Sequence, residues 1–97
     1  MVINSQNPLI LGRIYFLRSF LMYSTDGCHL CDVAEQLLIG CLDSEKHQVD
    51  VVDIAFDDQL LEKYGENIPV LLDEISQEAL YWPFDQEQLV RFVNKAL

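Results

Sequence analysis

The stretch "MYSTDGCHLCDVAEQLL", residues 22–38, places three structural signals directly after one another. The aromatic and apolar run "FLRSFLMYS" at 16–24 predicts a short buried strand, and the polar residues at 25–27 predict a turn. Two cysteines, Cys28 and Cys31, follow the turn. Beyond the first of them, apolar residues recur at the spacing of an amphipathic helix. This helical face contains Val33, Ala34, Leu37, Leu38, Cys41 and Leu42.

The rest of the chain predicts three more strands and two more helices. Asp85, with Gln88 three residues later, forms a capping box before the final helix, and Gly65 would end the preceding helix. The order β-α-β-α-β-β-α predicts an α/β fold with one four-stranded mixed sheet, helices on both faces, and parallel first and second strands. The predicted strands are "QVDVVDI" (48–54), "VLLDE" (70–74) and "SQEALYW" (76–82); the short helix is "DDQLLEKY" (57–64), capped by Asp57 or Asp58, and the final helix buries Leu89, Val90, Phe92, Val93, Ala96 and Leu97.

The composition indicates one small acidic domain. A chain of 97 residues, 51% of them hydrophobic, can build one packed core but not two. A formal net charge of -10 disfavours binding to nucleic acids and to anionic lipids. We expect residues 1–18 to be a leader or extra N-terminal segment, ordered or disordered, ahead of a domain at 19–97. The arginines in that segment interrupt the apolar run that a signal peptide or membrane helix would need, so we expect a cytoplasmic protein.

The two closely spaced cysteines predict dithiol chemistry. A thiolate attacks disulfides, and an ordinary cysteine, with a pKa of about 8.5, is mostly protonated at neutral pH. Unpaired N–H groups at a helix N-terminus stabilise negative charge, so we expect a moderately lowered pKa for Cys28. A protonated His29 would favour the thiolate further, whereas Asp26 would oppose it. Cys28 is therefore the predicted nucleophile, and Cys31, one step deeper, the resolving thiol.

Two other interpretations of the cysteines remain open. A zinc half-site would need further ligands, for which Cys41 and His47 are the candidates outside the motif. We expect no metal, because Cys41 lies on the apolar helix face as a small core residue and His47 falls in a polar, solvated turn. The thiols could also be inert. The aromatic residues near the C-terminus are predicted to pack in the core or over it, with substrate contact as the alternative: Tyr81, Trp82 and Phe84.

Pro69 opens the third strand in "NIPVLL" and is a candidate for a cis peptide bond. If the Ile68-Pro69 bond is cis and faces Cys28, the Ile68 backbone could pair with an incoming peptide or thiol. A trans proline that merely begins a strand is the alternative.

These features together resemble the thioredoxin superfamily, and within it the small glutaredoxin-like proteins of bacteria. The resemblance rests on a strand, CxxC at a helix start, and an apolar-proline pair before a hairpin, with "YS..GCHLC" opening the domain, and it spans 19–97. It implies a thiol–disulfide oxidoreductase with Cys28 as nucleophile and Cys31 as resolving thiol. It also implies substrate binding by Ile68-Pro69, and we add His29 and Leu30, which separate the two cysteines, to the predicted substrate-binding residues.

The chain departs from the glutaredoxin pattern where glutathione would bind. No lysine precedes the motif, CHLC replaces CPYC, and "LYWPFDQEQ" replaces the Gly-Gly-Asp stretch, with Asp85 as the only counterpart. We therefore expect no bound cofactor and keep glutathione only as a candidate reductant. The expected partner is a protein or small-thiol disulfide, acted on by a monomer. The alternative function is a non-enzymatic adaptor or redox-sensing module.

Overall fold

The computed structural model describes residues 17–95, which form a four-stranded sheet and three helices. In chain order the elements are β1 (Arg18–Ser24), α1 (His29–Cys41), β2 (His47–Asp53), α2 (Asp58–Tyr64), β3 (Val70–Asp73), β4 (Ala79–Tyr81) and α3 (Gln86–Asn94). The predicted order of elements is confirmed. The expectations for residues 1–16 and for Ala96 and Leu97 lie outside the described residues.

The sheet is mixed and has the strand order β2-β1-β3-β4. β1 runs parallel to β2, with Arg18 opposite His47 and Ser24 opposite Asp53. β3 is antiparallel to both β1 and β4. Because β1 is central and parallel to β2, the carboxyl ends of these two strands lie at the same edge of the sheet. The loop that leads to the two cysteines leaves from that edge.

Helices cover both faces of the sheet, as predicted. Alternate residues of β1 point to opposite faces, so Phe20 and Met22 join one cluster and Tyr23 joins the other. The first cluster packs α1 and α3 against the sheet, and the second packs α2 against it. The buried members are Phe20, Met22, Ala34, Leu38, Leu71, Phe84, Leu89 and Val93 in the first, and Tyr23, Ile54, Tyr64, Val70 and Leu72 in the second.

The predicted helix caps are present. Asp57 accepts hydrogen bonds from two N–H groups in the first turn of α2, and Gly65 is the C-cap residue. Asp85 and Gln88 form a reciprocal capping box at α3. These signals were readable from sequence because each joins residues no more than four positions apart.

Three sequence predictions about burial were wrong. His47 is not solvated: it begins β2, is 8% exposed, and lies against the core. Val33 and Val90 are exposed, although both were assigned to buried helix faces. In α3 the buried side chains are Leu89 and Val93, which are four residues apart. Val90 points toward solvent because each residue of a helix is rotated by about 100° from the one before it.

The fourth strand is shorter than predicted because of a turn built around Asp73. The Asp73 carboxylate accepts hydrogen bonds from the N–H groups of Ile75 and Ser76, and the Gln77 N–H donates to the Asp73 carbonyl. Residues 74–78 therefore form a turn, with Gln77 at φ 64°, and the ladder resumes only at Ala79.

Asp73 also forms a buried ion pair that joins β3 to β1. Its side chain is fully buried, and the Arg18 Nη2 atom lies 2.5 Å from its Oδ2 atom. Burial by itself would raise the pKa of Asp73, but the hydrogen bond from Ile75 and the Arg18 guanidinium together outweigh it. The pKa is therefore lowered below its ordinary value of 3.8.

Candidate active site

Cys28 occupies the N-cap position of α1, the position from which the predicted chemistry follows. Its backbone is extended, at φ -84° and ψ 107°, and its sulfur accepts a hydrogen bond from the Cys31 N–H at 3.1 Å. This N–H is one of the helix donors that have no partner within the helix. A sulfur in this position receives both a direct hydrogen bond and the field of the helix N-terminus. Negative charge on Cys28 is therefore stabilised by the way the helix begins.

The two cysteines differ in exposure and are joined by a disulfide. Cys28 is half-buried, whereas Cys31 is only 2% exposed and packs under the first turn of α1. Their Cα atoms are 5.2 Å apart, within the usual range for a disulfide. An outside group therefore meets Cys28 first, and Cys31 can reach the Cys28 sulfur from within the protein.

The turn between β1 and α1 sets this geometry. The Cys28 N–H donates to the Thr25 carbonyl at 3.4 Å, and Gly27 has a φ of +75°. This left-handed conformation is strained for any residue with a side chain. A Cβ atom at Gly27 would have no neighbour within 4 Å, so the surface beside Cys28 is open at this point.

The register of β1 and β3 brings Pro69 to the same edge of the sheet as Cys28. Tyr23 pairs with Val70, so Pro69 lies beside the end of β1 that leads into the turn. The Ile68-Pro69 peptide bond is cis, as the sequence suggested. The Pro69 carbonyl accepts a hydrogen bond from the Trp82 N–H at 3.2 Å. Among residues 17–95, no hydrogen bond involves the backbone N–H or carbonyl of Ile68.

The residues between the two cysteines are both on the surface. His29 and Leu30 are exposed in the first turn of α1, and Leu30 presents an apolar side chain there. Their position beside Cys28 fits the substrate contact predicted for them, which stays a prediction.

The other predicted candidates lie away from the two cysteines. Cys41 is at the far end of α1, about 18 Å along the helix axis, and packs against the first core cluster as predicted. His47 is the first residue of β2 and lies opposite Arg18, whereas the active-site turn follows the other end of β1, at Ser24. Neither can join Cys28 and Cys31 in a four-ligand site. Within the part of the chain that the structure describes, no group of three or more metal-binding side chains is suitably arranged.

The aromatic residues after β3 divide between core and surface. Phe84 is buried and meets Trp82 edge-on, at 5.0 Å between ring centroids, while Tyr81 is largely exposed. The Trp82-Pro83 peptide bond is also cis, although the sequence pattern did not predict it. Asp85, the only counterpart of a glutathione-binding aspartate, already caps α3.

A tyrosine pair lies on the α2 side of the sheet. The rings of Tyr23 and Tyr64 stack at 4.9 Å. Burial, followed by the neighbouring Tyr64, raises the pKa of Tyr23 above its ordinary value. The Tyr23 hydroxyl therefore stays protonated at neutral pH, and the stacked pair serves packing.

Sequence reasoning missed a small acidic cavity on the β2 side of the disulfide. It has a volume of about 230 Å³, and Cys31 forms part of its wall. Its other lining residues come from β1, the turn, α1 and β2: Ser24, Thr25, Asp26, Gly27, Asp32, Glu35, Val51 and Asp53. The acids near the motif are visible in the sequence, but only the register of β1 and β2 brings Asp53 to them.

No helix within residues 17–95 combines the length and the hydropathy needed to cross a bilayer.

Comparisons with known proteins agree with this geometry. The profile of the glutaredoxin-like domain (DUF836) matches residues 20–94. The crystal structure of protein XcR50 from X. campestris is 33% identical, with a TM-score of 0.71, and the match covers 80% of this chain and 99% of that one. The solution structure of protein Ne2328 from Nitrosomonas europaea is 22% identical, with a TM-score of 0.62 and coverage of 94% and 98%, and supports the fold alone. The comparison with curated proteins finds no match. With its CxxC pair at the start of α1 and a family match over most of its length, the chain belongs to the glutaredoxin-like domain family (DUF836) of the thioredoxin superfamily.

Proposed function

We propose that this protein is a thiol–disulfide oxidoreductase in which Cys28 attacks a substrate disulfide. The Cys28 thiolate forms a mixed disulfide with one substrate sulfur, and the other sulfur leaves as a thiolate and takes up a proton. The Cys31 thiolate then attacks the Cys28 sulfur, which releases the second substrate thiol. Two electrons pass from the protein dithiol to the substrate, and the protein ends with the Cys28–Cys31 disulfide. An external thiol reductant then regenerates the dithiol.

The observation that carries this proposal is the position of Cys28 at the N-cap of α1. Its sulfur accepts the Cys31 N–H, it is accessible from outside, and its partner sulfur is buried directly behind it. A cysteine buried for packing alone would not occupy a helix cap, where serine, threonine, aspartate and asparagine are preferred. The same site supports both steps of the exchange without any further group.

Two surface features support a protein substrate. The unpaired backbone of Ile68 offers a donor and an acceptor to an extended peptide next to the mixed disulfide. Leu30, and Phe56 in the β2–α2 loop, expose apolar side chains, with Phe56 96% exposed. Leu30 follows the carboxyl end of β1 and Phe56 follows the carboxyl end of β2. The exchange needs no bound cofactor, and we propose that the protein works as a monomer in the cytoplasm, where reducing conditions favour the dithiol form.

Glutathione is the less favoured reductant in this proposal. It is an anion at neutral pH, and the chain carries a formal net charge of -10. Asp85 is occupied by the capping box, so it is not available to hold the amino group of glutathione. A dithiol reductant or a reductase is favoured on these grounds.

The test uses a Cys41→Ala background, so that the motif supplies the only two thiols. Dithiothreitol-driven reduction of insulin and of hydroxyethyl disulfide is measured for this parent and for its Cys28→Ser and Cys31→Ser derivatives. We expect turnover by the parent and none by Cys28→Ser. Cys31→Ser, reduced, freed of dithiothreitol and then mixed with insulin, should form a stable mixed disulfide that mass spectrometry locates at Cys28. A Cys28 pKa measured by thiolate absorbance should lie below the ordinary value of about 8.5.

The opposite outcome is equally defined. A parent that reduces neither substrate, together with an unshifted Cys28 pKa, would refute the oxidoreductase and favour the adaptor or redox-sensing module. Cys41→Ala should leave the wild-type rate unchanged, because Cys41 lies at the far end of α1.

A further inference from the structure

β1 and β2 end in two turns of the same kind, at the edge of the sheet that carries Cys28. In the first turn the Cys28 N–H donates to the Thr25 carbonyl at 3.4 Å, and in the second the Asp57 N–H donates to the Ile54 carbonyl at 3.1 Å. Cys28 is the N-cap of α1, and Asp57 is the N-cap of α2. The second turn is therefore the counterpart of the active-site turn, one strand away.

Phe56 occupies the position in the second turn that Gly27 occupies in the active-site turn. The parallel register pairs Ser24 with Asp53, and the two turn residues each lie three positions beyond these strand ends. Neighbouring strands are about 4.8 Å apart, and three residues span at most about 11 Å. A docked protein covers about 800 Å² of its partner, a patch roughly 30 Å across. A protein bound at Cys28 can therefore also contact Phe56.

The Phe56 ring lies in solvent on a turn that is fixed on both sides. It is 96% exposed, the most exposed of the large apolar side chains in the described part of the chain. On the strand side the Asp53 carboxylate accepts the Ala55 N–H at 2.9 Å, and on the helix side Asp57 accepts two N–H groups of α2. A partner that covers the ring therefore orders little additional backbone. Aromatic side chains are enriched at the centres of protein interfaces, and this one gains nothing from the core.

The charges around this edge of the sheet select the partner. Asp53 and Asp57 lie on either side of Phe56, and Asp26 lies in the active-site turn. None of these carboxylates takes part in an ion pair among residues 17–95. Their combined field attracts lysine and arginine and repels acidic surfaces. The complementary partner is an apolar group with basic residues around it.

We propose that Phe56 is the docking anchor with which this protein selects polypeptide disulfides over small ones. The ring packs against an apolar side chain of the substrate, and the carboxylates favour lysine or arginine beside that side chain. An extended peptide advances about 3.3 Å per residue, which places these groups within about eight residues of the reactive cysteine. The inference rests on the proposed oxidoreductase function. Phe56 does not touch the reacting sulfurs, so it is a specificity residue and not a catalytic one.

The experiment uses hydroxyethyl disulfide and three synthetic peptides. Each peptide has the same disulfide-closed ring and an eight-residue tail, in which leucine is combined with lysine, leucine with glutamate, or serine with lysine. The kcat and KM for each substrate are measured at pH 7 for wild type, Phe56→Ala, Phe56→Trp and Ile75→Ala. Ile75 is the matched control, because it is an exposed apolar residue, at 57%, after the carboxyl end of β3. That end lies at the opposite edge of the sheet from Cys28, since β3 is antiparallel to β1.

We expect wild type to prefer the leucine–lysine peptide over both other peptides. Phe56→Ala should raise the KM for this peptide about tenfold and leave kcat nearly unchanged, the scale of losing one aromatic anchor. It should change the KM for the serine–lysine peptide less than about twofold, because that tail offers the ring no apolar partner. Phe56→Trp should keep the wild-type preference, and Ile75→Ala should change none of these values. The rate on hydroxyethyl disulfide should be the same for all four proteins.

The outcomes separate this inference from the function on which it rests. If wild type reduces neither hydroxyethyl disulfide nor any peptide, the oxidoreductase proposal fails. If wild type reduces them but Phe56→Ala and Ile75→Ala affect the leucine–lysine peptide equally, Phe56 is not the anchor. Equal kcat/KM values for the leucine–lysine and leucine–glutamate peptides would overturn the selection of basic partners. Phe56→Ala should unfold in urea at the wild-type midpoint, because the ring is in solvent, so a higher KM would not reflect unfolding.

Discussion

Asp73→Asn tests how much the buried ion pair between β1 and β3 contributes to stability. The Asp73 side chain is fully buried and its partner Arg18 is 13% exposed, so water cannot replace the lost carboxylate. Removing one member of a buried pair costs about 3–5 kcal/mol. Asparagine can still accept from the N–H groups of Ile75 and Ser76 through one oxygen, which places the expected loss near the lower limit, about 3 kcal/mol.

A loss of this size is a large part of the stability of a small domain, which is typically about 5–15 kcal/mol. It corresponds to a fall in Tm of roughly 12–24 °C. The measurement is urea unfolding at pH 7 followed by circular dichroism. The control is Glu87→Gln, which removes one member of an exposed ion pair with Arg91, at 3.5 Å, and should cost only about 0.3 kcal/mol.

The pH dependence of the same comparison gives a second test. The folded-state pKa of Asp73 is lowered below 3.8. Its contribution to stability is therefore complete above the unfolded pKa and is lost as pH falls through the lower folded value. The difference between wild type and Asp73→Asn should be constant from about pH 5 to 7 and should shrink below about pH 4. A loss under about 1 kcal/mol at pH 7, or a difference that does not shrink in acid, would refute the reasoning.

Three further changes probe the caps, the active-site turn and the far edge of the sheet. Gly27→Ala should lower the free energy of unfolding in urea by about 1 kcal/mol, because alanine is strained at φ +75°. No steric clash adds to this loss, since the space around the new Cβ is open. An unchanged unfolding midpoint would contradict the prediction. Asp85→Ala should cost about 1 kcal/mol by removing the acceptor for the Gln88 N–H, and hydrogen exchange should show faster opening of the first turn of α3 rather than of α1. His47→Leu should lower the free energy of unfolding by about 1–2 kcal/mol, because the imidazole ring accepts the Asp43 N–H at 3.0 Å and its other nitrogen pairs with Asn94 at 3.2 Å. A stabilised variant would show that only the burial of the side chain matters at this position.

The sequence was informative wherever the deciding contacts are short. A CxxC pair after a turn, an aspartate at a helix start and a glutamine three residues later act on neighbouring backbone groups. Their consequences can be worked out without knowing the rest of the fold. The order of strands and helices followed from the same local patterns, and parallel pairing of β1 with β2 followed from the helix between them.

Contacts between distant segments could not be assigned in this way. His47 has the sequence context of a turn residue, yet it is buried because β2 begins one residue earlier than its apolar pattern suggests. The His47 ring therefore lies against Phe20, with 6.1 Å between the ring centroids. The ion pair of Arg18 with Asp73 joins residues 55 positions apart and needs the antiparallel pairing of β1 and β3.

The candidate site divides in the same way. The sequence alone determined that Cys28 begins a helix and that Cys31 lies one turn deeper, because a helix start is a local property of the chain. Only the tertiary structure decided that Asp53 joins the acids of the turn and of α1 around a cavity that Ser24 and Cys31 also line. That cavity exists because two parallel strands end at the same edge of the sheet, in a register that no pattern within either strand specifies.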